Sequence, residues 1–355
     1  MQINDLLKST GEWLRTDGPQ SDIVVSTRVR LARNLTNFPF TTRASLDDLQ
    51  KIEQQIHTIV EELFGSENIL MVNTEELDEV DRHLLLERHL ISRELTEGKP
   101  SRAAAIACDE TYSLMINEED HLRIQAVRSG LDLNATYQIV NDLDDKIEQR
   151  LPFAFDEKLG YLTACPTNVG TGIRISVMLH LPALGLTGEI EKVFRSLSKI
   201  NLAVRGMFGE GSQATGDLFQ ISNQVTLGKS EEQLIEQIGE IIPQIIKYER
   251  EARKYLADNK KEMLGDKICR AVGILSNTKT ITSQETMQLL SQIRLGVNLG
   301  MIHPTTLEEV NELFLRVQPA HLQKFLGNDL DPQDRDVQRA NIVREYLGNA
   351  QVEDN

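Results

Sequence analysis

The chain is best approached through one segment, Cys165-Pro166-Thr167-Asn168-Val169-Gly170-Thr171-Gly172-Ile173-Arg174. Within ten residues it combines a thiol, two glycines and a guanidinium, a mixture too irregular for ordinary core. A thiol reacts as its thiolate, and nearby hydrogen-bond donors or cations favour that form. Backbone amides exposed by glycine, with an arginine close behind, suit phosphate oxygens. The segment therefore predicts a place where phosphates meet a reacting group; the alternative is a plain glycine turn.

The composition is that of a globular protein with an acidic balance. The 355 residues contain 54 Asp plus Glu against 38 Lys plus Arg, a net charge of −16. Because such a field repels other polyanions, we expect no direct binding of nucleic acid and no membrane association. The three cysteines (Cys108, Cys165, Cys269) are widely spaced, which is typical of a reducing cytoplasm. The first ten residues lack the apolar core of a signal peptide, so a cytoplasmic location is expected.

Two regions of different character follow each other along the chain. Up to about residue 230, strand-like and helix-like patterns alternate. Strands are predicted at 23–31, 113–117, 202–205 and 218–222, and helices around 46–64, 78–90 and 186–199.

After Gly228 the pattern becomes helical, and strand signals are essentially absent. Ser230 with Gln233 forms a capping box before apolar residues at helical spacing. Later helices are predicted to begin near Ser283, at Thr306 and at Asp331. The fold class predicted is α+β, with a catalytic domain over 1–255 and an all-helical domain over 256–355. The boundary is expected near 250–262.

Two sets of charged residues stand out as candidates for chemistry. Five arginines lie in short polar segments beside predicted strands, namely Arg28, Arg30, Arg123, Arg174 and Arg205. Several guanidiniums are a sensible clamp for a triphosphate, although each alone could be a surface ion pair. Glu119 and Glu210 could grip a planar cation and accept its proton, although Glu119 also fits a solvated acidic turn. No carboxylates show clear metal-ligand spacing, so any Mg²⁺ would arrive on the nucleotide.

Four motifs in this order resemble the signatures of the phosphagen kinase superfamily. They are Ser26-Thr27-Arg28-Val29-Arg30, the segment from Asn117 to Ile124, the segment from Cys165 to Arg174, and Arg205-Gly206-x-x-Gly209-Glu210. The resemblance spans roughly residues 21–230. It implies a mainly antiparallel sheet flanked by helices, and transfer of the γ-phosphoryl group of MgATP to a guanidino nitrogen.

Within the superfamily the chain is most similar to the bacterial protein arginine kinases of the McsB type. The arginine-pair strand comes at Ser26, whereas kinases of free arginine or creatine place it after an N-terminal helical domain. An extra helical region follows residue 255. Arg335-Asp336-x-x-Arg339-Ala340 also matches the motif of an allosteric phosphoarginine pocket. Arg335 and Arg339 are four apart, so on a helix they would repel unless an anion lay between them; a solvated charged face is the alternative.

The resemblance also implies individual roles. Glu119, Glu210 and Cys165 would be catalytic, the thiolate steering charge with a hydrogen bond from Thr167 rather than forming a covalent intermediate. The implied ATP-binding residues are Ser26, Thr27, Arg28, Val29, Arg30, His89, Arg123, Arg174, Ile175, Ser176, Val177, Met178, Arg205, Gly206, Met207, Phe208 and Gly209. The implied pocket for phosphoarginine consists of Arg335, Asp336, Arg339 and Ala340.

The implied biology is arginine phosphorylation that marks proteins for degradation and controls a stress-response repressor. Expected partners are proteins with exposed arginine, a zinc-binding activator adaptor, a Clp-type unfoldase, a heat-shock repressor and a second copy in a homodimer. Two alternatives stay open: a metabolic kinase of free arginine, and a non-catalytic adaptor.

Overall fold

The structure is a computed structural model that describes residues 2–207 and 215–352. Phe208, Gly209 and Glu210, predicted site residues, lie outside the described residues. The strands of the main sheet are β1 (Val24–Arg33), β2 (Ile69–Asn73), β3 (Ala103–Ala107), β4 (Tyr112–Ile116), β5 (Leu122–Ser129), β8 (Ile173–His180), β9 (Leu202–Arg205) and β10 (Leu218–Asn223). Between β5 and β8 comes a two-residue hairpin of β6 (Phe155–Asp156) and β7 (Gly160–Tyr161).

The eight strands form one sheet in the order β2-β3-β4-β5-β1-β8-β10-β9, with every neighbouring pair antiparallel. The predicted α+β class with a mainly antiparallel sheet is therefore confirmed. Strand β1 lies in the interior of the sheet, paired with β5 on one side and β8 on the other. The sequence motifs around residues 26, 123 and 174 therefore become neighbours in space.

The two faces of this sheet differ in polarity because side chains alternate along each strand. On β1, Val29 and Leu31 are fully buried in the main apolar core. Ser26, Arg28 and Arg30 occupy the alternate positions and face the other side. Residues paired across antiparallel strands share a face, so the same division continues on β5 and β8. One face is thus committed to packing, and the other is free for a binding site.

The helices surround the sheet and form the C-terminal region. Helices α1, α3 and α6 supply buried residues to the core on the apolar face. The helices are α1 (Leu46–Phe64), α2 (Glu79–Glu87), α3 (Leu133–Glu148), α4 (Pro182–Leu186), α5 (Ile190–Ser198), α6 (Glu231–Asn259), α7 (Lys261–Asn277), α8 (Ser283–Asn298), α9 (Leu307–Arg316), α10 (Pro319–Leu326) and α11 (Pro332–Leu347). No helix in the described part of the chain is long and apolar enough to cross a membrane.

Local capping chemistry explains several helix starts that the sequence predicts. The Ser230 hydroxyl accepts from the backbone of Gln233, whose side chain accepts from the Ser230 backbone. Thr306 and Glu309 make the same reciprocal pair at α9, and the Asp331 side chain caps α11. These contacts satisfy amide groups that the first turn of a helix leaves without partners. The predicted starts of α6, α8, α9 and α11 are confirmed.

Other expectations need correction. The helix predicted at 186–199 is two helices, α4 and α5, because Gly188 adopts a φ of +74° between them. The region after 228 is not entirely helical, since β11 (Ile302–His303) pairs with β12 (Gln351–Val352). Its helices build a second apolar core, which also includes Trp13, Val127 and Met178 from the polar side of the sheet. The helical region therefore packs directly beside the candidate site.

Candidate active site

The five predicted arginines lie within strands and not in the segments beside them. Arg28 and Arg30 are on β1, Arg123 on β5, Arg174 on β8 and Arg205 on β9. Arg30 lies opposite Arg174, and Arg123 pairs with Ala32 on β1. All five therefore share the polar face of one sheet. Strand pairing thus gathers side chains that are up to 177 residues apart, from Arg28 to Arg205, onto one surface.

This surface concentrates positive charge. Burial, followed by the fields of Arg123 and Arg174, lowers the pKa of Arg28 to about 10. Burial and the same neighbours, together with Arg28, push the pKa of Arg30 well below its usual value, and Glu118 opposes this only in part. Cations that depress each other's pKa in this way are stabilised by an added anion. The cluster is therefore suited to a polyanion such as a triphosphate.

A small cavity opens on the same face beside Arg28. Trp13 and His89 meet there edge to face, with ring centroids 4.4 Å apart. Burial and the charges of Arg28 and Arg30 lower the pKa of His89 to about 3, so its ring is neutral. The lining residues are Trp13, Ser26, Arg28, His89, Val127, Ser176, Met178 and Gln220. A neutral, partly aromatic hollow next to a phosphate clamp fits a nucleobase or ribose better than another charge.

Sequence reasoning missed three of these lining residues, namely Trp13, Val127 and Gln220. Trp13 is the only tryptophan in the chain, and Gln220 receives a hydrogen bond of 3.3 Å from Arg28 Nη2. Gln220 pairs with Met178 and with Arg205, so strand alternation could have identified it. No local signal marks Trp13, because it precedes every strand and reaches the cavity through tertiary packing.

The acidic turn after β4 presents one carboxylate to solvent and buries the next. The Glu119 side chain is 40% exposed, with its Oε2 3.4 Å from Arg123 Nη2. Glu118 is fully buried in an ion pair with Arg123. Burial, and next the charges of Asp120 and Glu118, raise the pKa of Glu119 although Arg123 opposes them. Glu119 is therefore an accessible base that holds a proton more strongly than an ordinary glutamate.

Buried hydrogen bonds fix the conformation of this turn. Asp120 Oδ1 accepts from Asn34 Nδ2 at 2.6 Å and from the amide of Ala164 at 2.7 Å. His121 Nδ1 accepts from the amide of Leu35 at 3.0 Å, and its Nε2 lies 2.8 Å from the oxygen of Pro39. Because Ala164 precedes Cys165, the Asp120 carboxylate joins the glutamate turn directly to the thiol segment.

The thiol segment is held at several further points. Cys165 Sγ and Thr167 Oγ1 are 3.0 Å apart, the contact expected from the sequence. Thr226 Oγ1 donates to the oxygens of Thr167 and Val169 at 3.1 and 2.7 Å. At the other end Arg33 Nη1 donates to the oxygen of Thr171 at 2.8 Å. The half-buried thiol is thus part of an ordered loop.

Gly172 explains the glycine requirement of this loop. Its φ is +66°, and a Cβ built on it would lie 2.7 Å from the backbone oxygen of Ala32. A side chain would therefore be strained and would collide with β1. Beyond this glycine the segment becomes strand β8 and not a helix, so a glycine turn before a helix is the wrong alternative.

Four predicted ATP-binding residues have side chains that lie on the face of the sheet opposite the arginine cluster. Thr27, Val29, Ile175 and Val177 alternate with the polar-face residues, so their side chains point to the opposite face. Val29, Ile175 and Val177 are fully buried in the main core, and Thr27 Oγ1 donates to the oxygen of Gly130 at 2.7 Å. Of the remaining predicted residues, Ser26, Ser176 and Met178 line the cavity. Met207, which follows Gly206, is buried in the second core.

The motif from Arg335 to Ala340 lies on α11, and its two arginines differ. Arg339 is buried, donating to the oxygens of Val317 and Ile281 at 2.9 Å each, and pairing with Asp336. Arg335 is half-buried and donates to the oxygen of Leu330 at 3.0 Å. The carboxylate of Asp336 and the backbone oxygens therefore offset part of the repulsion between the two arginines, although the charge of Arg335 still acts to lower the pKa of Arg339. Ala340 is fully buried in the second core.

No three His, Cys, Asp or Glu residues among residues 2–207 and 215–352 are grouped so as to hold a metal ion. The site chemistry described thus comes from guanidiniums, a carboxylate and a thiol.

Comparison with known proteins agrees with this geometry. Residues 51–252 match the family "ATP:guanido phosphotransferase, C-terminal catalytic domain", and residues 261–355 match "Protein-arginine kinase McsB C-terminal domain". The fold and site therefore define an ATP-dependent guanido phosphotransferase, a kinase of the phosphagen kinase type. A solved taurocyamine kinase from Schistosoma mansoni superimposes with a TM-score of 0.60 at 28% identity, covering 68% of this chain. The match spans only 36% of that longer, duplicated protein.

Curated relatives match over nearly the whole chain. The protein-arginine kinase of Symbiobacterium thermophilum is 45% identical over 98% of this chain and 99% of its own length. The protein-arginine kinase of Geobacillus sp. strain WCH70 is 44% identical over 96% of this chain and 94% of its own. The chain belongs to the protein-arginine kinase family.

Proposed function

We propose that this enzyme transfers the γ-phosphoryl group of MgATP to the guanidino group of arginine side chains in proteins. The observation that carries the proposal is the arrangement on one sheet face: a clamp of arginines, then the exposed carboxylate of Glu119, with the loop of Cys165 tied to it through Asp120. Positive and negative groups in that order match a triphosphate and a guanidinium placed end to end.

The arginine clamp would hold and polarise the nucleotide. Arg28, Arg30 and Arg174 lie within the central strands, so they are rigid before the substrate arrives. Guanidiniums fixed in advance stabilise charge that develops on a transferred phosphoryl group and on the leaving ADP. Mg²⁺ would be held by the nucleotide oxygens. The hollow at Trp13 and His89 would take the other end of the nucleotide.

The carboxylate and thiol would prepare the acceptor. A guanidinium is a weak nucleophile while it keeps its proton. Glu119 would accept that proton, the freed nitrogen would bond to the γ-phosphorus, and the bond to the β,γ-bridging oxygen would break to release ADP. Cys165 would assist as a thiolate near the cation, with Thr167 Oγ1 donating to its sulfur. Glu210, outside the described residues, would grip the same guanidinium from a second side.

A protein acceptor is favoured over free arginine because residues 261–355 match a domain named for protein-arginine kinases. The direct test incubates the full chain and MgATP with a basic protein, and separately with free arginine, followed by mass spectrometry under conditions that preserve acid-labile phosphate. Phosphate on protein arginine supports the proposal. Turnover of free arginine alone would support a metabolic kinase, and no turnover at all would leave the role of an adaptor.

The wider biological role is part of the same proposal. Arginine phosphorylation would mark proteins for a Clp-type unfoldase and modify a heat-shock repressor, with a zinc-binding adaptor as activator. The enzyme would act in the cytoplasm as a homodimer joined through its helical region. Arg335, Asp336 and Arg339 would recognise phosphoarginine as an allosteric pocket. Support comes from membership of the family and from the placement of Arg335, half-buried at the surface of α11.

A further inference from the structure

The helical region contacts the nucleotide-binding side of the catalytic region where α2 ends and α10 begins. Glu87 is the last residue of α2, two residues before His89. Its Oε1 accepts from the amide of Ala320 at 2.8 Å, and its Oε2 accepts from the amide of His321 at 2.9 Å. These amides belong to the first turn of α10, where backbone donors have no partner within the helix. A side chain of the catalytic region therefore caps a helix of the C-terminal region.

His321 completes this contact through both ring nitrogens. Its Nδ1 lies 2.7 Å from Glu87 Oε2, and its Nε2 lies 3.3 Å from Arg88 Nη1. Because a guanidinium can only donate, Nε2 accepts and Nδ1 carries the proton given to Glu87. The ring is therefore neutral, in agreement with a pKa that burial holds below its usual value.

Arg88 extends the network into the catalytic region. Its Nε and Nη2 donate to the two oxygens of Glu110 at 2.8 and 2.6 Å, and Nη2 also donates to the oxygen of Ser9 at 3.0 Å. Glu87, Arg88, Glu110 and His321 are each less than 10% exposed. A buried network whose polar groups have hydrogen-bond partners is rigid. Removal of one member leaves buried polar groups without a partner, which destabilises the fold.

The next residue in the chain is His89, which reaches the nucleotide cavity. Its backbone has a φ of +60°, and its oxygen accepts from Gln125 Nε2 at 2.7 Å. Its ring lies against Trp13 in the cavity wall. A non-glycine residue keeps this conformation only where its surroundings impose it. Glu87 is bound by the first turn of α10, and Arg88 contacts His321 on the same helix. The helical region therefore helps to impose the backbone conformation of His89.

We propose that Glu87 and His321 are positioning residues for the nucleotide, so that the seating of α10 on α2 sets the affinity of the site for ATP. The inference rests on the proposed placement of ATP at His89. It also identifies a route for regulation. Arg339 donates to the oxygen of Val317, and only Gln318 separates Val317 from the first residue of α10. A ligand that displaces Arg339 would therefore shift the helix on which His321 sits.

The test measures ATP binding to the full chain by the fluorescence of Trp13, the only tryptophan, which lies in the cavity wall. His321→Ala is expected to weaken ATP binding about tenfold. That loss in affinity corresponds to the free energy of one buried hydrogen bond to a charged group. His321→Asn keeps a donor near the Nδ1 position and is expected to recover most of the affinity. His321→Gln keeps a group only near the Nε2 position and should not recover it.

Lys324→Met provides a matched control. It removes the ion pair between Lys324 and Asp81, which joins the same two helices without contacting Glu87 or Arg88. ATP affinity should be unchanged in this variant. In turnover, His321→Ala should raise KM for ATP and leave KM for the protein acceptor unaltered. A purely structural role for His321 would not separate the two constants.

The positioning role of Glu87 and His321 can be contradicted in several ways. Wild-type ATP affinity in folded His321→Ala and Glu87→Gln would overturn it, as would an equal loss in Lys324→Met. Should His321→Ala fail to fold, the difference between the Asn and Gln variants decides, and equal affinities in both would count against the positioning role. Because binding needs no acceptor, a normal nucleotide response without phosphoarginine would refute the proposed function and leave this inference standing.

Discussion

Arg30 and Arg174 lie directly opposite each other on neighbouring strands, on the same face of the sheet. Like charges in that relation destabilise a sheet, and Arg28 and Arg123 add to the repulsion at Arg30. Glu118 opposes this repulsion in part, and a bound anion would oppose it further. The sheet thus gathers positive charge where the proposed function places the phosphates of ATP.

Replacement of Arg30 by methionine should therefore separate stability from function. Arg30→Met relieves repulsion at a half-buried position, so we expect the free energy of unfolding to rise by about 1 kcal/mol. ATP binding should be lost or greatly weakened. Chemical denaturation and nucleotide titration measure the two effects. Arg270→Met, at an exposed arginine paired only with Asp266, should leave both unchanged. A destabilised Arg30→Met would show that the charge is already compensated.

Glu119→Gln tests the base. The amide keeps the shape of the side chain but cannot accept the proton, so the rate of phosphorylation should fall at least about 100-fold while ATP binding persists. Glu94→Gln removes an exposed carboxylate whose charge reaches Glu119 and should retain activity. The raised pKa of Glu119 adds a pH test: because the base must be unprotonated, kcat/KM should fall on acidification at a pH above that typical of glutamate. Near-normal turnover in Glu119→Gln would exclude the role.

Thr167→Val tests how the thiol is tuned. The variant removes the hydroxyl 3.0 Å from Cys165 Sγ, and loss of a donor disfavours the thiolate. We expect slower alkylation of Cys165 by iodoacetamide and a lower kcat, with ATP affinity unaltered. Thr58→Val, at an exposed threonine on α1, is the comparison. If alkylation is as fast in Thr167→Val as in the wild type, the hydroxyl does not act on the sulfur.

His89 should make the protein sensitive to acid. Its pKa falls from 6.5 to about 3 on folding, so between those values the unfolded chain binds a proton that the folded chain does not. Stability must then decrease as pH falls through that window. The contribution is about 2 kcal/mol between pH 7 and pH 5. Denaturation of wild type and His89→Gln at both pH values measures it. An equal loss in both proteins would contradict the assignment.

The two arginines of the α11 motif should behave differently. Arg339→Ala leaves the backbone oxygens of Val317 and Ile281 without their donor, so the variant should unfold at lower temperature. Arg335→Ala removes a half-buried side chain that donates a hydrogen bond to the oxygen of Leu330. Because this side chain is partly solvated, the variant should keep its Tm and basal activity. Under the proposed function, Arg335→Ala should lose the response to added phosphoarginine. An intact response in this variant would count against the pocket.

Sequence patterns predicted those parts of the fold that depend on local chemistry. Ser230 and Thr306 each cap a helix through hydrogen bonds with the third residue after them, so a four-residue motif identifies the helix start. The spacing of apolar residues from Leu234 to Ile245 identifies the buried face of α6. Strands β2, β3, β5 and β8 escaped prediction. The run Ala103–Ala107 has weak strand propensity and forms a strand because both neighbours pair with it.

The sequence was sufficient to predict which residue types belong to the candidate site. It was not sufficient to predict how their side chains are arranged in space. The motifs identified Arg28, Glu119 and Cys165, because their chemistry is unusual in its local setting. Only the sheet register shows that the side chains of Val29 and Ile175 face the core while those of their neighbours lie on the polar face. The contacts of Glu87 with α10 join residues 233 positions apart, so no local pattern records them.

Side chains alternate between the two faces of the sheet along β1. From Ser26 onward, odd-numbered positions such as Val29 and Leu31 lie in the apolar core, whereas even-numbered ones such as Arg28 and Arg30 lie on the polar face. A bulge between Val24 and Ser26 already absorbs one change of register. Insertion or deletion of a single residue after Ser26, without a second bulge, would exchange the two sets and place guanidiniums in the apolar core. Beyond that bulge, where both neighbouring strands stay in register, the strand should accept substitutions more readily than a change in length.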